Sequence, residues 1–263
     1  MKPLSALDWY SDRLLLNNLT FRLQHPKMDA WDGDENHFIF FKDKKLIDQY
    51  QIFFNTQPLD FAPKNIIEIG MWDGGSAVFW NEIFEPNLLV GIDLLDTGGG
   101  EYFKKYKSSS LKSYWGTNQA DAQKLRQIVK ENFGPNQIDL IFDDASHLYK
   151  PSLISFNTLF PYMKKGGLYI IEDWAWFHWK GHENVFPVGS QPTRLVFQLV
   201  EACANPGLIE SVNVYSGFVV IKRSQEEFKG AVEDYELENH IYRHPIPLVK
   251  KLKFNLKELL KKA

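Results

Sequence analysis

Apolar residues in the middle of the chain fall into four short runs, separated by segments of helical period. The runs occupy residues 66–69, 88–92, 138–142 and 168–171. Short, nearly continuous apolar runs are typical of parallel strands that are buried on both faces. The intervening and following segments repeat apolar residues every three or four positions, which predicts helices at 122–129, 153–163 and 195–203. Alternating strands and helices indicate a doubly wound, Rossmann-like α/β sheet.

A hairpin is predicted after the last of these helices. Residues 212–215 and 218–221 are rich in β-branched and aromatic side chains, and Ser216-Gly217 separates them. Two such runs joined by a short glycine-containing turn favour an antiparallel hairpin. We expect this hairpin to close one edge of the sheet.

The first 60 residues depart from the α/β pattern. Apolar residues occur at helix-like spacing at Leu14, Leu15, Leu16 and Leu19, and a short extended stretch follows at 38–41. We therefore expect three parts, namely an N-terminal helical cap or substrate segment at 1–60, a core at 61–223 and a C-terminal helical extension at 224–263.

Leucines and lysines occupy opposite sides of a helical wheel at the end of the chain. From Leu248 onward the leucines fall within one arc and the lysines fill the remainder, which predicts a basic amphipathic helix. Such a helix can dock on its own domain with the lysines in solvent, or contact an anionic membrane surface or a partner. The N-terminal segment at 1–60 and the C-terminal segment at 224–263 are both candidates for contacts between subunits. A homo-oligomer is therefore one of the expectations.

Charge balance and cysteine usage narrow the partners and the compartment. The chain has 30 Lys and Arg against 33 Asp and Glu, a formal net charge of -3, so nucleic acid is not an expected partner. The single cysteine, Cys203, cannot form an internal disulfide, and Asp8 and Asp12 interrupt the apolar run that a signal peptide requires. No uncharged stretch reaches the length of a membrane span. We expect a cytoplasmic protein without a membrane span.

A glycine-rich loop follows the first predicted strand. The segment runs from Glu68 through Gly70, Gly74 and Gly75 to Ser76, and a predicted helix follows it. In a doubly wound sheet this position is the crevice where ligands bind, because glycines let the backbone approach a ligand closely. A tight turn required only for packing is the alternative. The acidic Glu68 argues against a pyrophosphate in the crevice, because two negative groups would meet there.

Asp93 ends the second strand, where an acidic residue typically binds the ribose hydroxyls of an adenosine group. Gln119 and Asp121 follow a possible third strand at 111–115, and their order along the chain makes them candidates for the adenine side. An adenosine ligand without phosphates that carries a positive charge would suit both Asp93 and Glu68. These requirements describe S-adenosylmethionine better than a nicotinamide dinucleotide.

Two further strands end in carboxylates. Asp143, Asp144 and His147 follow the strand at 138–142, and Glu172-Asp173 follows the strand at 168–171. Because the carboxyl ends of parallel strands meet at one edge, these groups are expected to converge on a divalent cation such as Mg²⁺. Neighbouring strand residues point to opposite faces, which favours Asp144 over Asp143, although either acid remains open. Capping of the following helices is the alternative for each acid taken singly.

The motifs together resemble a known family. Glu68-x-Gly70-x-x-x-Gly74-Gly75-Ser76, then Asp93, Asp144-x-x-His147, Gly166-Gly167 and Glu172-Asp173 are similar to the class I methyltransferases of the cephalosporin-hydroxylase-like and rhamnosyl O-methyltransferase group. Metal-dependent macrolide-sugar and cephamycin-pathway O-methyltransferases belong to this group. The resemblance covers roughly residues 45–173.

The resemblance implies a seven-stranded methyltransferase sheet ending in a hairpin, with S-adenosylmethionine in the glycine-loop crevice. It also implies Mg²⁺ on Asp144, Glu172 and Asp173, with His147 as the general base that deprotonates a hydroxyl of a small-molecule acceptor. The doublet Asp143-Asp144 departs from the family, which often has an apolar residue at the first position.

An aromatic segment follows the acids directly. Trp174, Trp176 and His178, with Phe177 and Trp179 between and after them, are candidates for an acceptor pocket, because aromatic faces pack against sugars and planar rings. Burial of these tryptophans beneath the N-terminal segment is the alternative. His178 and His182 are weaker candidates than His147 for a metal ligand or a base.

The favoured hypothesis is a Mg²⁺-dependent O-methyltransferase that acts on a sugar, a natural-product scaffold or a phenolic diol. A metal-independent methyltransferase and a nucleotide-binding Rossmann protein without methyl transfer are the alternatives. A nicotinamide dehydrogenase would require a Gly-x-Gly-x-x-Gly turn, which this loop lacks.

Overall fold

A small four-stranded sheet forms much of the N-terminal region in a computed structural model that describes residues 2–23, 36–134, 137–181, 189–205 and 207–242. Its strands are β1 (Asp8–Trp9), β2 (Arg13–Leu16), β3 (Leu19–Leu23) and β4 (Phe38–Phe40). The strand order is β1-β2-β3-β4, antiparallel except for the parallel pair β3 and β4.

The helix predicted from the leucines near position 15 is wrong, because these residues lie in β2 and β3. Leu14 and Leu16 are buried while Leu15 between them is half-buried, which is the period of two of a strand. Leu16 pairs with Leu19 across a two-residue turn, and Asn17 has a φ of 56°. Asparagine tolerates this left-handed conformation well, so the turn is stable here. The N-terminal cap is therefore largely a sheet.

One helix does form in this region. Helix α1 (Lys44–Phe54) begins after Asp43, whose Oδ1 accepts a hydrogen bond of 2.7 Å from the backbone N–H of Leu46. Its buried residues include Tyr50, which stacks on Phe218 with 4.2 Å between the ring centroids. The helix thus packs its apolar face on the main sheet.

The main sheet has seven strands in the order β10-β11-β9-β8-β5-β6-β7. They are β5 (Asn65–Ile69), β6 (Leu88–Ile92), β7 (Leu111–Tyr114), β8 (Ile138–Asp143), β9 (Met163–Glu172), β10 (Ile209–Val214) and β11 (Phe218–Arg223). Strands β5 to β9 are parallel, whereas β11 is antiparallel to both β9 and β10. The predicted seven-stranded α/β sheet with its antiparallel hairpin is confirmed, and β10 lies at the edge.

Five more α-helices lie within the described residues and accompany the main sheet. They are α2 (Gly75–Phe84), α3 (Glu101–Lys105), α4 (Ala122–Asn132), α5 (Tyr149–Leu159) and α6 (Thr193–Cys203). Alternation along β5 sends Ile66 into a core shared with α1, α2 and the small sheet, and Ile67 into a core shared with α4, α5 and α6. Burial on both faces leaves the carboxyl edge of the strands as the place for a ligand.

The C-terminal region is described as far as residue 242. Between residues 224 and 242 it contains two short 3-10 helices, Val232–Asp234 and Leu237–His240. The basic amphipathic helix predicted from Leu248 lies outside the described residues. Among the helices that the structure describes, none combines the length and apolar character needed to cross a membrane.

Candidate active site

A cavity of about 990 Å³ opens at the carboxyl ends of β5, β6, β8 and β9. Nine of the candidate site residues predicted from the sequence line it, namely Gly70, Ser76, Asp93, Gln119, Asp144, His147, Glu172, Asp173 and Trp179. Nine other candidates within the described residues are not among its lining residues, namely Glu68, Gly74, Gly75, Asp121, Asp143, Trp174, Trp176, Phe177 and His178. The lining also includes Lys42 and Asp73, which the sequence analysis did not identify.

The three glycines of the loop after β5 serve different contacts. Gly70 has a φ of 86°, and a Cβ there would overlap the backbone carbonyl of Asp144. A Cβ on Gly74 would overlap the ring of Phe103, and one on Gly75 would overlap the carbonyl oxygen of Ile39. Gly70 therefore brings the loops after β5 and β8 together, whereas Gly74 and Gly75 permit packing against α3 and β4.

Asp73 ties the glycine loop to the N-terminal sheet. Its Oδ2 accepts a hydrogen bond of 3.1 Å from the backbone N–H of Ile39 in β4, and its Oδ1 accepts one of 3.1 Å from Gly75. Burial raises the pKa of Asp73 to about 6, against the lowering effect of these hydrogen bonds. The small sheet is thus joined to the loop that shapes the cavity.

Replacing Asp73 with alanine is expected to lower the free energy of unfolding by about 1–3 kcal/mol, because two part-buried backbone N–H groups lose their acceptor. Urea denaturation of both proteins measures the difference. The control is Asp48→Ala, which removes an exposed ion pair with Lys44 and is expected to cost no more than about 0.5 kcal/mol. Equal losses in the two variants would contradict the assigned role of Asp73.

Asp93 organises the glycine loop from the end of β6. Its Oδ2 accepts hydrogen bonds of 2.9 and 2.8 Å from the backbone N–H groups of Met71 and Trp72, and its Oδ1 accepts one of 2.8 Å from Leu95. The side chain still lines the cavity. Contact with ribose hydroxyls stays a prediction, since carboxylate oxygens can accept more than one hydrogen bond.

Gln119 connects two loops below the cavity. Its Nε2 donates a hydrogen bond of 2.5 Å to Asp143 Oδ1, and its Oε1 accepts one of 3.3 Å from the backbone N–H of Ser146. By contrast, Asp121 is exposed and caps α4, accepting a hydrogen bond of 2.9 Å from the backbone N–H of Lys124. Asp121 therefore has a structural contact that explains its position at a helix start.

The two acids after β8 face different surroundings. Asp143 is buried and accepts hydrogen bonds of 2.6 and 2.8 Å from the hydroxyls of Ser155 and Tyr169. Burial raises the pKa of Asp143 to about 6, although these donors favour the charged form. Asp144 instead lines the cavity. The alternation of the strand therefore separates the doublet, and Asp144 is the member available to a ligand.

An ionic cluster joins Asp144 and Glu172 through a lysine that precedes α1. The Nζ of Lys42 donates to Asp144 Oδ2 at 2.7 Å and to both oxygens of Glu172 at 2.8 Å. Burial alone would lower the pKa of Lys42, but Asp144 and Glu172 raise it above its usual value. The pKa of Glu172 is raised by burial and by Asp144, against the effect of Lys42. The sequence analysis missed Lys42, because its partners lie 102 and 130 positions away.

Asp144, His147 and Asp173 form a second grouping within the same cavity. One ligand atom from each of the three lies within 4.8 Å of the others. His147 Nε2 lies 3.9 Å from Asp144 Oδ1. His147 and Asp173 adopt left-handed backbone conformations, with φ of 50° and 52°. Such conformations are uncommon outside glycine and concentrate at functional sites, so the backbone is bent here to bring the three side chains together.

The aromatic segment after Asp173 is divided between packing and the cavity. Trp174 Nε1 donates a hydrogen bond of 2.8 Å to the carbonyl of Tyr215, and His178 Nε2 lies 2.8 Å from Thr193 Oγ1. Trp176 packs edge-on near His147, with 6.5 Å between the ring centroids. Trp179 lines the cavity. His182 lies outside the described residues.

Comparison with known proteins finds a matching family model for the central part of the chain. Residues 67–174 match the family model described as a methyltransferase domain. This central segment is similar to a methyltransferase domain. The match includes the acids and the histidine at the carboxyl ends of the strands, namely Glu68, Asp73, Asp93, Asp143, Asp144, His147, Glu172 and Asp173, whereas Lys42 precedes it.

Several curated relatives that this segment resembles are named as O-methyltransferases. The mycinamicin VI 2''-O-methyltransferase of Micromonospora griseorubida is 32% identical over 123 residues, which are 44% of this chain and 28% of that protein. The L-olivosyl-oleandolide 3-O-methyltransferase of Streptomyces antibioticus is 28% identical over 155 residues, covering 56% of this chain and 36% of that protein. The chain thus spans about a third of the length of these relatives. The resemblance seen in the sequence is confirmed.

Solved structures show the same fold. The MycE methyltransferase of the mycinamycin pathway, in complex with Mg, SAH and mycinamycin VI, is 23% identical with a TM-score of 0.53, covering 70% of this chain and 51% of that one. A second crystal form of MycE, in complex with Mg and SAH, covers 87% of this chain and 56% of that one at 21% identity and a TM-score of 0.52. The α/β methyltransferase fold is shared across most of the chain.

Acids that line the cavity fit a cationic donor, among them Asp93, Asp144 and Asp173. Glu68 is fully buried and is not among the lining residues. Burial raises the pKa of Glu68 to about 8, while Lys42 opposes the shift. The positive charge of Lys42 thus favours the ionised form of Glu68, and contact between Glu68 and S-adenosylmethionine stays a prediction.

The same cavity fits a divalent cation through two carboxylates. Mg²⁺ is usually held by one or two carboxylates, with water or substrate oxygens completing its octahedral shell. Asp144 and Asp173 meet this requirement. Glu172, the third ligand implied by the sequence resemblance, is bound to Lys42 through both of its oxygens. The structure therefore brings together two of the three acids that the resemblance suggested, and places a lysine on the third.

Proposed function

We propose that this chain is an O-methyltransferase that moves a methyl group from S-adenosylmethionine to a hydroxyl of a sugar or natural-product scaffold, with the help of Mg²⁺. The observation that carries the proposal is the grouping of Asp144, His147 and Asp173 beside the glycine loop of a methyltransferase domain. The names of the curated relatives, which are O-methyltransferases of macrolides and of their sugars, support the acceptor class.

His147 is the proposed general base. A neutral alcohol is a weak nucleophile, so removal of its proton during methyl transfer lowers the barrier. The acceptor oxygen bonds to the methyl carbon as the carbon–sulfur bond of the sulfonium breaks, and the hydroxyl proton passes to a ring nitrogen of His147. Asp144, whose Oδ1 lies 3.9 Å from His147 Nε2, would stabilise the resulting imidazolium by its charge.

Asp144 and Asp173 are the residues proposed to hold Mg²⁺. When bound, the ion would lower the pKa of a hydroxyl that it touches. Because Mg²⁺ prefers oxygen ligands, His147 stays available as a base rather than as a ligand. Trp179 lines the cavity and is proposed to supply an apolar face for the acceptor ring.

The proposal is tested by a turnover assay that follows methylation by mass spectrometry. Glycosylated macrolides that carry unmethylated sugar hydroxyls are offered together with S-adenosylmethionine. We expect EDTA to lower turnover by roughly tenfold or more, and added Mg²⁺ to restore it. Equilibrium dialysis with S-adenosylmethionine is the companion measurement, and absence of binding there would exclude methyl transfer.

A metal-independent methyltransferase is the second candidate, and Lys42 is the observation that favours it. A buried ammonium already neutralises part of the acid cluster without any added ion. Turnover that is unchanged by EDTA would select this candidate.

A further inference from the structure

Lys42 adds a buried positive charge that the proposed mechanism does not use. Its Nζ contacts one oxygen of Asp144 and both oxygens of Glu172, and the side chains of Lys42 and Glu172 are only 2% and 1% exposed. Buried charges persist only where partners compensate the loss of hydration. The three groups therefore form an ionic unit closed to water on the Glu172 side.

The backbone of Lys42 is anchored on both sides along the chain. β4 ends at Phe40, and its Ile39 is hydrogen-bonded to Asp73 at 3.1 Å. On the other side, Asp43 caps α1 through its hydrogen bond of 2.7 Å with Leu46. Because β4 and α1 both pack into the core, the segment between them directs the ammonium at the carboxylates rather than leaving it to move in solvent.

We propose that Lys42 is a positioning residue that withholds Glu172 from the divalent cation bound by Asp144 and Asp173. This inference rests on the proposed function, because it takes a cation at that pair of acids as given. Both oxygens of Glu172 accept hydrogen bonds from the ammonium, whereas Asp144 uses only Oδ2 for it. The ammonium also repels a second cation at short range. Lys42 thus lowers the affinity of the site and reduces its ligand set from three carboxylates to two.

The test measures Mn²⁺ binding by electron paramagnetic resonance, with Mn²⁺ as the probe in place of Mg²⁺ and without any turnover. The variant Lys42→Met keeps the length of the side chain and removes its charge. We expect its Kd for Mn²⁺ to fall roughly tenfold or more, because a repelling charge is lost and Glu172 becomes a ligand. The matched control is Lys44→Met, which removes the same charge from an exposed side chain paired with Asp48, and its Kd should equal that of the wild type.

A double-mutant cycle separates simple charge repulsion from the release of Glu172. The cycle compares the effect of Lys42→Met in the wild type with its effect in a Glu172→Gln background. We expect most of the tightening to disappear in that background, because no carboxylate remains to be released. Equal tightening in both backgrounds, or none in Lys42→Met, would overturn the proposal.

Glu172→Gln alone keeps the test valid if Lys42→Met does not fold, which circular dichroism would show. Glu172 is not a ligand of the cation while Lys42 binds it. The loss of Mn²⁺ affinity in Glu172→Gln should therefore be at least roughly tenfold smaller than the loss in Asp173→Asn. Losses of equal size would overturn the proposal. The proposal is also overturned if the wild-type protein binds no Mn²⁺. If Mn²⁺ binding by the wild type and the variants follows these expectations but no methyl group is transferred, only the proposed function is overturned.

Discussion

Replacing His147 with alanine is expected to lower kcat by about 10²–10⁴-fold, the usual contribution of a general base. The Kd for S-adenosylmethionine should stay within about twofold of the wild type, because His147 serves the proton of the acceptor rather than the donor. Rapid-quench assays give the rate, and equilibrium dialysis gives the donor affinity. Addition of imidazole to the variant should restore part of the rate by replacing the missing base.

His240→Ala is the control for this measurement. His240 stacks on Tyr235, with 4.9 Å between the ring centroids, and is not among the cavity-lining residues. Its rate should match the wild type. If His147→Ala lost donor affinity in proportion to its rate, the residue would be a binding group and the general-base assignment would be wrong.

Replacing Asp173 with asparagine is expected to lower both Mn²⁺ affinity and turnover at low Mg²⁺ by about a hundredfold, because one of two carboxylate ligands loses its charge. Burial raises the pKa of Asp173 while His147 opposes the shift, so the carboxylate sits in surroundings where a cation has a large effect. Turnover is measured as a function of Mg²⁺ concentration, and high concentrations should recover part of the rate.

Asp48→Asn provides the comparison for Asp173→Asn, since it removes an exposed carboxylate paired with Lys44 on α1. It should leave the dependence on Mg²⁺ unchanged. If the Asp173→Asn protein kept the wild-type dependence on Mg²⁺, Asp173 would not be a ligand of the cation. Asp144 would then lack the second carboxylate proposed for the site.

The central fold was predictable because local and global signals agree there. Buried parallel strands such as β6 at Leu88–Ile92 are nearly continuous apolar runs, and the helices α4 and α6 repeat apolar residues at helical spacing. In the N-terminal sheet, the local sequence pattern did not agree with the structure that forms. Three consecutive leucines fit either period, and the deciding signal was the Asn17-Asn18 turn, which permits a two-residue hairpin between β2 and β3.

The candidate site was predictable only in part, for the same kind of reason. Asp144, His147 and Asp173 follow strands directly, so the rule that parallel strands end at one edge identified them. Lys42 and Asp73 act through long-range contacts that no local pattern encodes, since Lys42 meets Glu172 across 130 positions of sequence. The roles of Gly74 and Gly75 were hidden similarly, because their neighbours Phe103 and Ile39 come from separate elements.

The contact between β4 and the glycine loop constrains how this protein can be recombined with its relatives. Gly75 lies against the carbonyl of Ile39, and Asp73 binds the N–H of the same residue. A chimera that takes its first 40 residues from a related protein must therefore keep a matching strand opposite Asp73. Without one, the graft would alter the cavity itself, even though the junction lies outside the match at 67–174.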